Sequence, residues 1–488
     1  MPGTCTSIIN MRYQDGSEGS ASNPAKFNNQ DYEQLRDYHV RRQKLFVDSS
    51  FPPDSVSLGR LEALSGGMDR LVQWRRPKNA APVFSSAGTS RFDFGQGSVG
   101  NCWFLAAISS LTMHKKLMGQ VVPMNQSFDN YAGIFHFRFW RYGKWVDVVI
   151  DDFLPTIGDQ FISVHAKGGN EFWVPLLEKA YAKVCGSYAD MNAGLTTEAC
   201  KDLSGGVPMS YQLHQVHDAN HDEELWRSLS NATGCNSLIC CGTASKDVGA
   251  THTGLVDAHA YSVTGVAEVQ MLVRVLNPWG KQEWNGKWSD GSSLWNEVSR
   301  EDRDKCVKRN DGEFWIELED FCHYFNMLSL CCENPNFLDG DVTCQWKCMI
   351  YDGSWVAGST SGGNLFRNTF YKNPQYRIQV SNINKTEVED KNVLISLMQK
   401  GQHQNRKSAK NYPIGMTIFK TKQGRLRSYF FRSNRPIKQG QQYTYERELI
   451  EQHSLQPGEY VIIPSTSESH MSTDFVLSVY TKADAKIM

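Results

Sequence analysis

Residues Gly95-Gln96-Gly97-Ser98-Val99-Gly100-Asn101-Cys102-Trp103-Phe104-Leu105-Ala106-Ala107 constrain the fold of this chain more than any other stretch. Three glycines make a tight turn that empties into an apolar helix whose first position is a thiol. One reading of a glycine-rich turn before a helix is a dinucleotide site. That reading requires a buried strand before Gly95 and an acidic residue about 20 positions later. The preceding Ser85-Ser86-Ala87-Gly88-Thr89-Ser90-Arg91-Phe92-Asp93 is turn-forming instead, and the acid is missing. The other reading makes Cys102 a nucleophile, because the thiolate is the reactive species and a helix N-terminus favours negative charge.

Magnitudes then demand a partner. A helix terminus supplies ~0.3–2 kcal/mol, whereas lowering a thiol from about 8.5 to about 4 takes roughly 6 kcal/mol. An imidazolium, oriented by a third polar group, can make up the difference. Among 13 histidines, His259 stands out in Gly254-Leu255-Val256-Asp257-Ala258-His259-Ala260-Tyr261-Ser262-Val263-Thr264-Gly265, where period-2 alternation predicts a strand. Asn277 follows eighteen residues later and opens Asn277-Pro278-Trp279-Gly280 at the end of a second predicted strand. Adjacent antiparallel strands would bring both to one end of a sheet. Asn277 would accept from the imidazole, Trp279 would shield that contact from water, and Gln96 would donate to an oxyanion. Together these residues form a Cys-His-Asn acyl-transfer site.

Composition narrows the class further. At about 150 residues per domain, 488 residues allow roughly three compact units. Lys+Arg number 51 against Asp+Glu 52, a balance far from the basic footprint of a nucleic-acid binder. No apolar run approaches the ~20 residues that span a bilayer. Met1–Gln14 lacks the layout of a signal peptide, so the chain is expected in the cytoplasm. The 13 cysteines are odd in number and include no Cys-x-x-Cys, which predicts reduced thiols and no zinc site. Residues 1–38 are polar and read as a flexible arm. Residues 39–208 are mainly helical and carry Cys102, and residues 209–333 are β-rich and carry His259 and Asn277. Residues 334–488 alternate in short runs between turns, as in Val393-Leu394-Ile395-Ser396-Leu397, and predict a β-sandwich. The expected class is α+β, a two-lobed core followed by that sandwich.

The motifs themselves resemble a known family. Gln96-Gly97-Ser98-Val99-Gly100-Asn101-Cys102-Trp103, Ala258-His259-Ala260-Tyr261-Ser262-Val263-Thr264-Gly265 and Asn277-Pro278-Trp279-Gly280 are similar to the calpain cysteine proteases. The likeness extends over Asn170-Glu171-Phe172-Trp173, Leu177-Glu178-Lys179-Ala180-Tyr181-Ala182-Lys183 and, downstream, Pro457-Gly458-Glu459-Tyr460-Val461-Ile462-Ile463-Pro464. The resemblance implies a papain-like core in which Cys102 is the nucleophile, His259 the general base and then acid, Asn277 the orienting residue and Gln96 the oxyanion donor. It also implies calcium activation with one ion in each lobe. The matching positions are the carbonyls of Ser86 and Gly88 with Asp93 and Glu171 in the first lobe. In the second they are Glu283, Asp290, Asp311 and Glu313 with a carbonyl near Arg309. Hard oxygen donors of this kind suit calcium. Without the ion, the resemblance implies, the lobes are turned so that Cys102 and His259 stand apart with Trp279 wedged between them.

Departures from the family pattern set further expectations. The sequence ends at Met488 without the penta-EF-hand domain that binds a small subunit, so that heterodimer is not expected. The acidic sandwich loop is diluted to Glu387, Glu389 and Asp390 among Lys385 and Lys391. The basic run Arg406-Lys407-Ser408-Ala409-Lys410 offers a weak phospholipid contact. Protein substrates are the expected partners. Two other readings remain open: a catalytically silent interaction protein on the same scaffold, and a transglutaminase-like acyl transferase.

Overall fold

The computed structural model describes residues 16–482 and 486–487, apart from 78–80, 86–87, 92–93, 168–169, 214–218, 236, 245–249, 307–310, 333–334, 339–345, 381–391, 402–405, 407–410 and 439–441. They fall into two compact units. The larger spans Pro24–Arg141 and Trp145–Gly340, and the smaller is built mainly on the strands from Trp346 onward.

In the larger unit the turn ahead of Cys102 feeds the helix Cys102–Leu111, every residue of which is buried except Cys102 itself. The Asn101 carbonyl starts it, accepting from the Phe104 and Leu105 amides at 2.9 and 3.1 Å. Its apolar surface is met on one side by the helix Trp173–Cys185, where the Phe104 and Tyr181 rings stack at 4.1 Å. On another side Ser262 Oγ donates to the Ala106 carbonyl at 2.7 Å, fastening the helix to a sheet. That sheet has six strands in the order Glu313–Glu317, Leu272–Leu276, Ala260–Ala267, Leu238–Gly242, Met327–Cys332 and Val207–Gln212, each pair antiparallel. Ser262 pairs with Leu276, so the residues just before Ala260 and just after Leu276 meet at one sheet end.

The helix Trp173–Cys185 is buried throughout, including Glu178, Lys179 and Lys183. Its two ammonium groups survive burial because each is matched. Lys179 pairs with Asp151 and donates to the Phe153 carbonyl. Lys183 reaches Asp48 at 2.6 Å, Gln30 at 2.5 Å and the Val149 carbonyl at 2.6 Å. Burial pulls both lysine pKa values down, and the facing aspartates oppose it.

Two expectations are corrected here. The arm expected through residue 38 is part of the fold from Ala25 onward. Ala25–Lys26 pairs in parallel with Lys144–Asp151, and Tyr32–Arg42 is a helix capped by Asp31 through the Gln34 amide. Tyr32 stacks on His136 with centroids 3.7 Å apart. Few apolar residues mark this segment because single polar side chains anchor it, Gln30 on Lys183 among them. The first lobe, expected to be mainly helical, also carries three small sheets: Ala25–Lys26, Lys144–Asp151 and Ile134–Arg141; Val72–Arg75, Leu154–Ile157 and Gln160–Phe161; and Phe94–Gly95 with His165–Ala166.

The smaller unit contains two four-stranded antiparallel sheets. One runs Trp346–Trp355, Thr473–Lys482, Val393–Gln399, Glu448–His453; the other runs Ile414–Lys420, Gly458–Thr466, Tyr376–Val380, Lys486–Ile487. Both contribute to a single core that includes Trp355, Ile395, Phe475 and Leu477 from the first and Ile378, Ile418 and Ile462 from the second, which makes a sandwich. One short helix, Ser428–Ser433, interrupts the β pattern. The loop Lys385–Lys391 and residues Lys407–Lys410 lie outside the described residues.

Removing Lys183 tests the matched burial directly. Lys183→Ala leaves the Asp48 carboxylate buried without its cation, which is expected to cost about 3–5 kcal/mol. Chemical denaturation of the full chain reads this, and a loss under about 1 kcal/mol would contradict it.

Candidate functional site

His259 and Asn277 occupy the sheet end that the strand register creates. His259 Nε2 lies 2.9 Å from Asn277 Oδ1. The Asn277 amide cannot turn over, because its Nδ2 donates to the Lys281 and Gln282 carbonyls at 2.8 and 3.1 Å while Oδ1 also accepts from the Trp279 amide at 3.0 Å. With Oδ1 fixed as acceptor, Nε2 carries the proton and Nδ1 is the basic nitrogen of the neutral ring. His259 is 5% exposed, and burial pulls its pKa down to about 4 against the opposing pull of Asn277.

Cys102 comes to the same place from the helix side. The Ala260 N–H, one residue beyond His259, faces its sulfur together with the N–H groups of Cys102 and Trp103. These donors favour the thiolate, but burial outweighs them and pushes the thiol pKa up. Among the described residues no hydrogen bond joins Cys102 to His259. In this arrangement both groups are neutral at pH 7.

Trp279 lies beside the imidazole. Its ring centroid lies 4.6 Å from that of His259, and its Nε1 donates to Gln96 Oε1 at 2.6 Å. Gln96 in turn gives one Nε2 proton to the Val99 carbonyl at 3.0 Å. The indole therefore joins the turn before Cys102 to the loop after Asn277 and packs at a tilt of 48° beside the imidazole. The second amide proton of Gln96 makes no hydrogen bond to the described residues.

The carboxylates expected to hold calcium are partly gathered. Ser86, Asp93 and Arg309 lie outside the described residues. The Gly88 carbonyl accepts from Ser85 Oγ at 2.7 Å, and Glu171 bridges to Val83 through the backbone. In the second lobe Glu283 accepts from the Gly312 amide at 2.7 Å and Asp311 from the Glu313 amide at 3.1 Å, so both carboxylates brace one turn. Gly312 has φ +95°, and a Cβ there would meet the Gly280 Cα at 2.6 Å. Asp290 is part-buried on the same loop. Glu313 faces two guanidinium groups: Arg91 holds it through two hydrogen bonds of 3.1 and 3.2 Å, and Arg274 Nε lies 3.7 Å away. Thr264 Oγ1 adds a bond of 2.5 Å. The donors are all oxygens, which fits a hard divalent cation. No three His, Cys, Asp or Glu side chains are already clustered for a metal among the described residues, so binding would have to draw the carboxylates together.

Three contributors escaped sequence reasoning. The Ala260 amide has no side-chain signature, and the Arg91–Glu313 pair spans 222 residues. Thr264 sits where the strand register shifts between Val263 and Gly265.

Comparison with known proteins then adds a family. Residues 46–332 match the profile described as calpain family cysteine protease, and residues 351–480 match that described as calpain large subunit, domain III. The chain is 38% identical to the calpain-2 catalytic subunit of Homo sapiens over 512 aligned residues, covering 99% of this chain and 72% of that one. It is 38% identical to the calpain-1 catalytic subunit of Bos taurus over 99% of this chain and 71% of that one. Identity to calpain-14 of Homo sapiens is 40%, over 93% and 68%.

The neutral pair has a pH signature. Only the thiolate is alkylated, so without divalent cation the rate of Cys102 alkylation by iodoacetamide is expected to keep climbing past the ordinary thiol range, as for a thiol that burial pushes up. A plateau already reached between about pH 5 and 7 would mean a preformed thiolate–imidazolium pair and contradict this assignment.

Proposed function

Because the chain belongs to the calpain family of cysteine proteases, we propose that it is a calcium-activated endopeptidase that cuts protein substrates at few sites through Cys102, His259 and Asn277. The observation that carries the reading is the 2.9 Å bond from His259 to an Asn277 that cannot rotate, with Cys102 facing the very next backbone amide.

In the reaction, His259 Nδ1 takes the thiol proton while Cys102 Sγ bonds to the scissile carbonyl carbon. The carbonyl oxygen becomes an oxyanion, met by the remaining Gln96 proton and by the amides at the start of the Cys102 helix. Collapse breaks the C–N bond, and His259 returns the proton to the leaving amine. Water then attacks the thioester, His259 takes its proton, and the carboxylate product leaves as the proton returns to sulfur. Asn277 keeps Nε2 protonated and the ring aimed throughout.

Calcium supplies no bond-making chemistry in this scheme; when bound, it gives the carboxylate loops a reason to close. Asp93 and Glu171 with the Ser86 and Gly88 carbonyls would hold one ion, and Glu283, Asp290, Asp311 and Glu313 with a carbonyl near Arg309 the other. The element proposed to switch includes the Trp279 contact with Gln96, which joins the Cys102 turn to the loop after Asn277. Moving such an element from 1:99 to 99:1 needs about 5.5 kcal/mol, or about 100-fold preference from each of two ions. The cytoplasm is the setting proposed, in keeping with no disulfide among the eleven described cysteines. Among the described residues no helix is long and apolar enough to cross a membrane.

Casein cleavage measured against a calcium titration tests the reading, with Cys102→Ser expected to abolish it. Amine incorporation in place of cleavage would favour an acyl transferase, and inertness of the calcium-loaded chain would favour a silent scaffold. Glu283→Ala and Asp93→Ala are each expected to raise the calcium needed for half-maximal cleavage by about tenfold, while leaving the rate at saturation within about twofold. Unchanged calcium dependence in both variants would defeat the switch.

A further inference from the structure

Glu178 is the only carboxylate on the buried helix Trp173–Cys185 and is 0% exposed. Unlike Lys179 and Lys183 beside it, it has no partner of opposite charge among the described residues. Its hydrogen bonds go instead to two loops of the site. Asn101 Nδ2 donates to Oε1 at 2.6 Å, and the Val164 amide donates to Oε2 at 3.0 Å and to Oε1 at 3.3 Å. Asn101 directly precedes Cys102 and starts its helix. The loop around Val164 supports the other end of the same turn, since Ser98 N donates to the Ile162 carbonyl at 2.7 Å. At Gly97 a Cβ would meet the Ser163 carbonyl at 2.1 Å, so the two loops lie in backbone contact. The turn from Gln96 to Cys102 is thus clamped against residues 162–164, and one carboxylate ties the two together.

We propose that Glu178 is a positioning residue for the proposed hydrolysis: through Asn101 and Val164 it holds the Gln96–Cys102 turn so that sulfur, backbone amides and the Gln96 amide keep their mutual geometry. This inference rests on the protease reading for its consequence, though not for its geometry. A carboxylate is needed because both oxygens face donors. Glutamine in its place would turn an NH2 toward Asn101 or Val164 and lose one contact.

The same arrangement gives a pH dependence. Burial pushes the Glu178 carboxyl up to about 7, against the pull of Asn101, Val164 and Ser163. The titratable groups around it are Tyr188, whose phenol the Glu178 charge raises further, Cys102 beyond Asn101, and His165 beyond Val164; Lys179 is taken by Asp151. Below about pH 7 the carboxyl gains a proton, one acceptor becomes a donor facing donors, and the clamp loosens.

The test compares Glu178→Gln, Asn101→Ala and the double variant with the wild type in the full calcium-loaded chain. Peptide hydrolysis is read as kcat and KM, and Cys102 alkylation is followed by mass spectrometry. Each single variant is expected to lower kcat at least tenfold with KM within twofold. The double variant should be no worse than the worse single one. Alkylation should slow at least fivefold per folded molecule, and Glu178→Gln should lose the wild-type limb near pH 7. Unchanged kcat and alkylation in folded Asn101→Ala or Glu178→Gln would overturn the proposal, as would multiplied losses in the double variant. Wild-type chain that never hydrolyses peptide would defeat the protease reading instead, and the alkylation rates would still decide the role of Glu178.

Discussion

Burial of the reactive pair is the constraint on which the rest depends. Cys102 opens a helix sunk in the core, and His259 lies at a sheet end beneath the Trp279 ring. His259 is buried and Cys102 half-buried, and the loss of water favours the uncharged form of each: the thiol stays protonated and the imidazole stays neutral. Neither group can be activated alone in such a place. Only direct contact lets the two charges pay for one another, and the proposed switch acts by making that contact.

The surrounding structure fixes each partner separately. Asn277 is locked by four hydrogen bonds of its side chain, so the imidazole keeps one tautomer and one direction. On the other side, the Gln96–Cys102 turn is clamped against residues 162–164 and tied to Glu178. Between the two sides run the Trp279–Gln96 bond, the Ser262–Ala106 bond and the Arg91–Glu313 pair. The proposed calcium loops bear on the same region. Glu283 and Asp311 brace the turn at Gly312, whose carbonyl receives the Asn277 amide at 2.9 Å. A cation that rearranged those carboxylates would therefore act on the backbone that carries Asn277 and Trp279.

Much of this was legible in the sequence where local pattern sets geometry. The Cys102 helix follows from its apolar run, and the meeting of His259 with Asn277 follows from two alternating strands joined by a short connection. The alternation of the last third gave the sandwich for the same reason. Contacts between residues far apart in the chain left no trace. Arg91 meets Glu313 across 222 residues and Trp279 meets Gln96 across 183, and neither arginine nor tryptophan announces such a partner. Residues 25–38 belong to the fold against expectation because they are anchored by a cap, one stacked ring and the Gln30–Lys183 bond, none of which has a period.

The most direct measurement is the pKa of His259 by nitrogen-15 NMR of the imidazole, with and without calcium. The account predicts titration below about 5 in the metal-free chain and, once the ring lies beside an ionised Cys102, above about 7 in the loaded chain. A single value shared by both states would contradict it, because the imidazole would then have gained no anion on loading.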